Sequence, residues 1–71
     1  MNVTIEKAIS LNVALGIKKY HQDFDVELLE FKGLSEGHVW VSVKGNMDNL
    51  IILNEKATNY KPSVRHMNDQ L

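Results

Sequence analysis

Only 71 residues are available to this chain for building a hydrophobic core, and none of them is cysteine. A chain of this length is expected to form a single small domain over residues 1–71, burying only about 60% of the surface that its unfolded form exposes. Without cysteine, neither disulfides nor thiolate-bound metals can reinforce so small a core. Self-association is the remaining common way to stabilise it, and we therefore expect a homodimer.

The composition is that of a folded protein rather than a disordered one. Hydrophobic residues make up 44% of the chain and charged residues 24%, proportions that are typical of globular domains. No run approaches the ~20 apolar residues of a membrane span, and the first residues lack the basic-then-apolar pattern of a signal peptide. We therefore expect a cytoplasmic protein without a membrane partner.

The hydrophobic pattern predicts an α+β fold in which an N-terminal helix packs on a three-stranded antiparallel meander. Residues 4–20 place their apolar side chains within one wide arc at about 100° per residue, as an amphipathic helix does. Gly16 within this segment indicates either close packing or an early helix end. One helix of this kind can cover one face of a small sheet.

The first two predicted strands form a hairpin. The earlier strand covers residues 24–31, and a slip in its alternation at Leu28 and Leu29 indicates either a bulge or the end of the strand. The sequence KGLSEG at residues 32–37 contains two glycines and several polar side chains, which favours a turn. The strand after it covers residues 38–44, with its valines on one face.

The remaining apolar surface of the predicted sheet needs cover. Trp40 lies on the face opposite to the valines, and the third predicted strand, residues 50–54, is apolar on both faces. One possibility is that the C-terminal tail, expected to be irregular or briefly helical and partly flexible from about residue 56, packs over this surface. We favour a second copy of the chain. The residues predicted for this dimer interface are Trp40, Leu50 and Ile52.

No catalytic or cofactor-binding signature is recognisable in the sequence. A nucleophilic or acid–base mechanism needs a base and an orienting group close together, and the three histidines stand beside no such motif. His21, Asp23 and Asp25 carry only a weak signal for a metal site. The glycines fit hairpin turns rather than a phosphate-binding loop. The chain is therefore predicted to be non-enzymatic, with no cofactor and no metal.

The acidic side chains are concentrated in the middle third of the chain. Residues 22–43 hold five acids against one lysine, a net charge of −4, although the formal net charge of the whole chain is −1. In DFDVE, residues 23–27, three acids alternate with apolar residues, which on a strand places carboxylates ~6.7 Å apart along one face. Such a row is either a solvated face or a mimic of DNA phosphates that binds a basic protein. The residues predicted to bind such a partner are Asp23, Asp25, Glu27, Glu30 and Glu36.

A cysteine-free chain of this size with an acidic middle resembles the small bacteriophage proteins made early in infection to disable host factors. The residues that carry the resemblance are DFDVELLE, residues 23–30, together with the compact helix-and-strands pattern. Among these proteins the chain is most similar to the Bacillus-phage inhibitors of the bacterial nucleoid protein HU. The resemblance implies a DNA-mimicking inhibitor in the host cytoplasm that blocks DNA binding by HU or a similar basic protein, without contacting nucleic acid itself.

A small nucleic-acid-binding or regulatory module is the alternative function. Lys56, Lys61 and Arg65 surround Tyr60 in the C-terminal tail, where the cations can contact phosphates and the ring can stack on a base. The net charge of −1 argues against this function, because dedicated nucleic-acid binders usually present a strongly basic face. Mixing with DNA alone separates the two functions, since the inhibitor ignores DNA and the module binds it.

Overall fold

A computed structural model describes residues 1–61, which form an α+β fold with one antiparallel sheet and two α-helices. In chain order the elements are β1 Asn2–Ser10, α1 Leu11–Tyr20, a 3₁₀ turn His21–Phe24, β2 Glu27–Gly33, β3 His38–Asn46 and α2 Met47–Thr58. The strand order is β1-β3-β2, and β3 pairs antiparallel with both neighbours. β1 and β2 therefore run parallel to each other on either side of β3, which is a split β-α-β arrangement.

The predicted N-terminal helix over residues 4–20 is wrong in its first half. That half belongs to β1, and α1 begins only at Leu11. Ile5 and Ile9 are four residues apart, a spacing that places two side chains on one face of a helix and equally on one face of a strand. Pairing decides between the two, because every residue of β1 is paired with β3. The sheet thus begins with the segment that the periodicity assigns to a helix.

The predicted hairpin is present as β2 and β3. Glu36 and Gly37 in its turn have positive φ angles of 62° and 74°. The bulge predicted at Leu28 and Leu29 is confirmed, since the pairing register with β3 shifts between Leu28 and Glu30. β2 begins later than predicted, because the chain makes a 3₁₀ turn before it.

The predicted third strand at residues 50–54 is wrong, because these residues lie in α2. A short apolar run does not distinguish a strand from a buried helix by periodicity. The helix begins where Asn46 Oδ1 accepts a hydrogen bond of 2.8 Å from the Asp48 N–H, an N-cap. The buried side of α2 consists of Leu50, Leu53 and Ala57. The sheet is consequently not a meander, since its third strand is β1.

The core lies between one face of the sheet and the two helices. The valines of β3 are buried on the face predicted for them, and they pack with residues of both helices and with Val26: the cluster comprises Ala14, Ile17, Val26, Val39, Val41, Val43, Leu50, Leu53 and Ala57. The helices meet at Gly16, where an added Cβ would lie only 2.7 Å from the Cα of Ala57, so the close packing of Gly16 is confirmed. Both helices thus lie on the valine face, and neither lies on the face of Trp40.

Candidate functional site

The predicted row of carboxylates does not form along a strand. Asp23 lies in the 3₁₀ turn, Asp25 follows it with a φ of 55°, and only Glu27 belongs to β2. The chain bends here because two hydrogen bonds join His21 to Val26: the Val26 N–H donates to the His21 carbonyl at 2.9 Å, and His21 Nδ1–H donates to the Val26 carbonyl at 2.8 Å. The prediction that these acids are regularly spaced along one face of a strand is therefore wrong.

The five acids predicted to bind a partner nevertheless remain at the surface. They lie along β2 and the two segments that flank it, and all are exposed: Asp23, Asp25, Glu27, Glu30 and Glu36. Cations interrupt them, because Lys44 is the cross-strand partner of Glu27 and Lys32 follows Glu30 by two residues. The acids along this edge of the molecule are therefore irregularly spaced and interrupted by positive charges, unlike the phosphates of a DNA strand.

The two histidines within residues 1–61 hold turns of the backbone. His21 binds the Val26 carbonyl, and His38 Nδ1–H donates to the Glu36 carbonyl at 3.1 Å. Across the same residues, no group of three histidine, cysteine, aspartate or glutamate side chains is arranged to hold a metal ion. The weak metal signal at His21, Asp23 and Asp25 therefore gains no support from the geometry.

The C-terminal ends of α1 and α2 bring two lysines and two tyrosines together. We call this group the lysine–tyrosine cluster, and it consists of Lys19, Tyr20, Lys56 and Tyr60. The tyrosine rings meet edge to face, with centroids 5.7 Å apart and planes at 89°. Lys19 Nζ lies 5.7 Å from the ring centroid of Tyr20 and 6.0 Å from that of Tyr60, and Lys56 Nζ lies 5.1 Å from that of Tyr20. All three distances are within the range of cation–π attraction.

Two features of the sequence position this cluster. Gly16 lies directly against Ala57, so the last turns of the two helices are close to each other. Each last turn carries lysine, and a cation there interacts favourably with the negative end of the helix dipole. Beyond α2, the Tyr60 N–H donates to the Ala57 carbonyl at 3.1 Å, which holds the tyrosine close to the end of the helix.

Further lysines extend the cluster on both sides. Lys18 Nζ lies 5.0 Å from the ring centroid of Phe31, and Lys61 directly follows Tyr60. The lysines of the cluster and these two are exposed, whereas both tyrosines are half-buried. The surface thus combines cations in contact with solvent and aromatic rings whose positions are fixed by packing.

Sequence reasoning finds only part of this site. It identifies Lys56, Tyr60 and Lys61 as a basic, aromatic tail, and places Arg65 beside them, although Arg65 lies outside the described residues. Lys19 and Tyr20 are missed because they come from α1, far away in the chain. The signal available for them is that each helix carries lysine in its last turn and has a tyrosine at its end or just beyond it.

The residues predicted for a dimer interface do not share one surface. Trp40 is half-buried on the sheet face that neither helix covers. Leu50 is only 6% exposed and packs in the core, so its assignment to an interface is wrong. Ile52 is 46% exposed on α2. The error follows from reading these residues as a strand, because on a helix Leu50 and Ile52 point in different directions.

An apolar cleft lies between β1 and α2. Two of the residues at its rim, Met47 and Ile51, are 46% and 51% exposed. The lining is otherwise mainly aliphatic, with three polar or charged exceptions: Lys7, Asn54 and Glu55. The cleft therefore offers packing surface rather than an arrangement of catalytic groups.

Comparison with known proteins does not assign this chain to a family. No protein-family model, no curated protein and no solved structure matches it. Among the helices of residues 1–61, none is long and apolar enough to cross a membrane. The function therefore has to be inferred from the chemistry of the surfaces that the fold presents.

Proposed function

We propose that the protein is a non-enzymatic binding protein that holds single-stranded nucleic acid at the lysine–tyrosine cluster. The observation that carries this proposal is the convergence of Lys19 and Lys56 on two tyrosine rings that come from different parts of the chain. The preference drawn from the sequence is thereby reversed. The acids do not form the regular row that phosphate mimicry needs, whereas the cations and rings gather at one site.

The cluster supplies the two interactions that bind a single strand without sequence preference. Lysine ammonium groups neutralise phosphates and release counterions, which makes the affinity fall with salt. Tyrosine rings provide a surface on which unpaired bases stack, worth ~1–3 kcal/mol per base. A duplex keeps its bases stacked on one another and offers the cluster its phosphates alone. Single strands are therefore expected to bind more tightly than duplexes of the same length.

The test is fluorescence anisotropy with a short labelled oligothymidylate. Replacing both cations of the cluster, Lys19→Gln with Lys56→Gln, is expected to raise Kd at least ~10-fold. Each lysine that contacts a phosphate contributes about 0.7 to the dependence of log K on log salt for single strands, so the slope should fall by about 1.4. Replacing Tyr60 by Leu should weaken binding, whereas Tyr60→Phe keeps the ring and should change it little.

The matched control removes the same charge elsewhere. Lys7→Gln with Lys44→Gln takes two exposed lysines from the sheet and leaves the cluster intact. Its affinity and salt slope should stay close to those of the unaltered protein. Equal losses in the two double variants would show that only the overall charge matters, and the cluster would then not be a binding site.

A second candidate function is the inhibitor that binds a basic DNA-binding protein such as HU. The observation that favours it is the exposure of all five acids along β2 and its flanking segments. Their irregular spacing means that general charge complementarity, rather than imitation of a phosphate row, supports this candidate. Under either function we propose a cytoplasmic location, which is the host cytoplasm if the gene belongs to a phage.

Competition separates the two candidates. An inhibitor should release labelled DNA from HU without binding the DNA itself, and a nucleic-acid binder should bind the DNA in the absence of HU. For the inhibitor, the variant Asp23→Asn, Asp25→Asn, Glu27→Gln should compete at least ~10-fold less well. Asn tolerates the left-handed conformation of residue 25, so the backbone is preserved.

The control for this variant removes three acids outside the predicted partner-binding set: Glu6→Gln, Glu55→Gln and Asp69→Asn. It should displace DNA from HU as well as the unaltered protein does. If the Asp23, Asp25, Glu27 variant also competes normally, these acids form a solvated surface and the inhibitor function should be abandoned.

A further inference from the structure

The sheet face that carries Trp40 lacks a packing partner within residues 1–61. Both helices pack on the opposite, valine face. We call the Trp40 side the open face. In the register of the sheet, three rows cross it from β1 through β3 to β2: Ala8–Trp40–Lys32, Glu6–Ser42–Glu30 and Thr4–Lys44–Glu27. Charges of both signs thus lie at fixed positions around a half-buried tryptophan.

Two-fold symmetry limits how a second copy can pack on this face. An axis along the strands places β1 over β2 of the other copy, so that Glu6 meets the partner's Glu30. An axis across the strands through the Ser42 row opposes Lys32 to Glu27, but it also sets Glu30 and Glu6 each against the same residue of the other copy. An axis through the Trp40 row sets Lys32 against the same residue of the other copy. An axis between the Ser42 and Lys44 rows sets Glu30 against Glu27. All four arrangements oppose like charges, which is unfavourable.

The axis between the Trp40 and Ser42 rows opposes unlike charges instead. Each Lys32 then meets the partner's Glu30, and this pair occurs twice in the complex. Each Trp40 lies opposite the row of the partner's Ser42, a small and uncharged residue that is buried within its own sheet. We propose that the open face binds a second copy of the chain in this register, with the two sheets face to face.

The size of the open face is consistent with a weak but specific dimer. β3 has nine residues, and at ~3.4 Å per residue and ~4.8 Å between strands the three-stranded face measures roughly 30 by 14 Å. This amounts to on the order of 400 Å² per copy, or about 800 Å² in total before the projection of side chains is counted, which is the size of a weak, transient interface. A dimer of micromolar stability is therefore expected.

The lysine–tyrosine cluster is built on the two helices, which lie on the other side of the sheet.

The test is sedimentation velocity over a concentration series, without nucleic acid. The unaltered protein should sediment as a dimer at high concentration. Lys32→Glu places two acids opposite each other and should raise the dimer dissociation constant at least ~10-fold, as should Glu30→Lys for two cations. The double variant Lys32→Glu, Glu30→Lys restores opposite charges and should restore the dimer. Circular dichroism establishes that each variant is folded.

Lys61→Glu is the control, because it makes the same charge change outside the open face and should leave the dimer intact. A monomer at all concentrations, or single reversals that leave the dimer unaffected, would overturn the proposal. Single reversals that are not rescued by the double variant would also overturn the proposed register. None of these outcomes bears on the binding of a short single strand to one cluster, which is measured separately with the cluster variants.

Discussion

At the scale of single residues, Gly16 shows how one missing side chain positions the candidate site. An alanine at this position would gain about 1 kcal/mol in helix propensity. Its Cβ would however lie 2.7 Å from the Cα and 2.8 Å from the carbonyl oxygen of Ala57, which are backbone atoms that cannot rotate away. Overpacking of this kind typically costs ~1–3 kcal/mol. Gly16→Ala is therefore expected to lower the free energy of unfolding by about 1 kcal/mol, measured by urea denaturation.

Gly33 provides the comparison for Gly16. No atom lies within 4 Å of a Cβ added at this position, and its φ is not in the left-handed region. Gly33→Ala should therefore change the free energy of unfolding by no more than about 0.5 kcal/mol. If the two alanine variants are equally stable, the helices are not in close contact at Gly16. The cluster would then lack the packing that holds its two halves together.

At the scale of secondary-structure elements, the two helices begin with side-chain caps of different quality. Asn46 Oδ1 accepts from the Asp48 N–H at 2.8 Å, whereas Ser10 Oγ accepts from the Val13 N–H at 3.5 Å. Asn46→Ala should cost about 1 kcal/mol, a typical value for loss of an N-cap. Ser10→Ala should cost less than half of that, because its hydrogen bond is long. Thermal denaturation of both variants checks the difference, and equal losses would contradict it.

The elements that sequence reasoning predicts correctly are those with an unambiguous local pattern. The strict alternation of β3 and the glycines of the hairpin turn each have one structural interpretation. The slip at Leu28 allowed a bulge or a strand end, and the pairing register with β3 shows the bulge. The first and last elements are ambiguous: the spacing of Ile5 and Ile9 suits a helix and a strand, and the run at residues 50–53 suits both as well. Pairing with β3 decides the first, and the Asn46 cap favours helix for the second.

The candidate site was only partly predictable for a related reason. Tyr60 and Lys56 are close in sequence, so a basic aromatic segment is visible in the chain. Their contacts with Lys19 and Tyr20 depend on how α1 and α2 cross, which no local pattern determines. The prediction of a row of acidic residues was wrong for the opposite reason, because a local pattern was present and the fold did not follow it. Their alternation is real in the sequence, but the 3₁₀ turn before β2 prevents it from becoming a row on one strand.

At the scale of the whole molecule, the two proposals predict two separable surfaces. The cluster lies on the helical side of the sheet, and the proposed dimer would form through the other side. A dimer would therefore carry two clusters, and a strand long enough to reach both should bind more tightly than a short one. Lys32→Glu, which is expected to weaken the dimer, should leave the affinity for a short oligothymidylate unchanged and weaken that for a long one. Anisotropy with the two lengths measures this, and equal effects on both would contradict it.

The position of β1 in the sheet has a consequence for the time at which the protein can fold. β1 is synthesised before the strand that it pairs with, since every one of its pairing partners lies between His38 and Asn46. Until β3 has left the ribosome, β1 is an unpaired apolar strand, and such strands invite wrong pairing. Lys7, which shares the side of the sheet with Val41, places a charge within that apolar side. Lys7→Val is therefore expected to reduce the yield of correctly refolded protein through aggregation, even if the native state is no less stable.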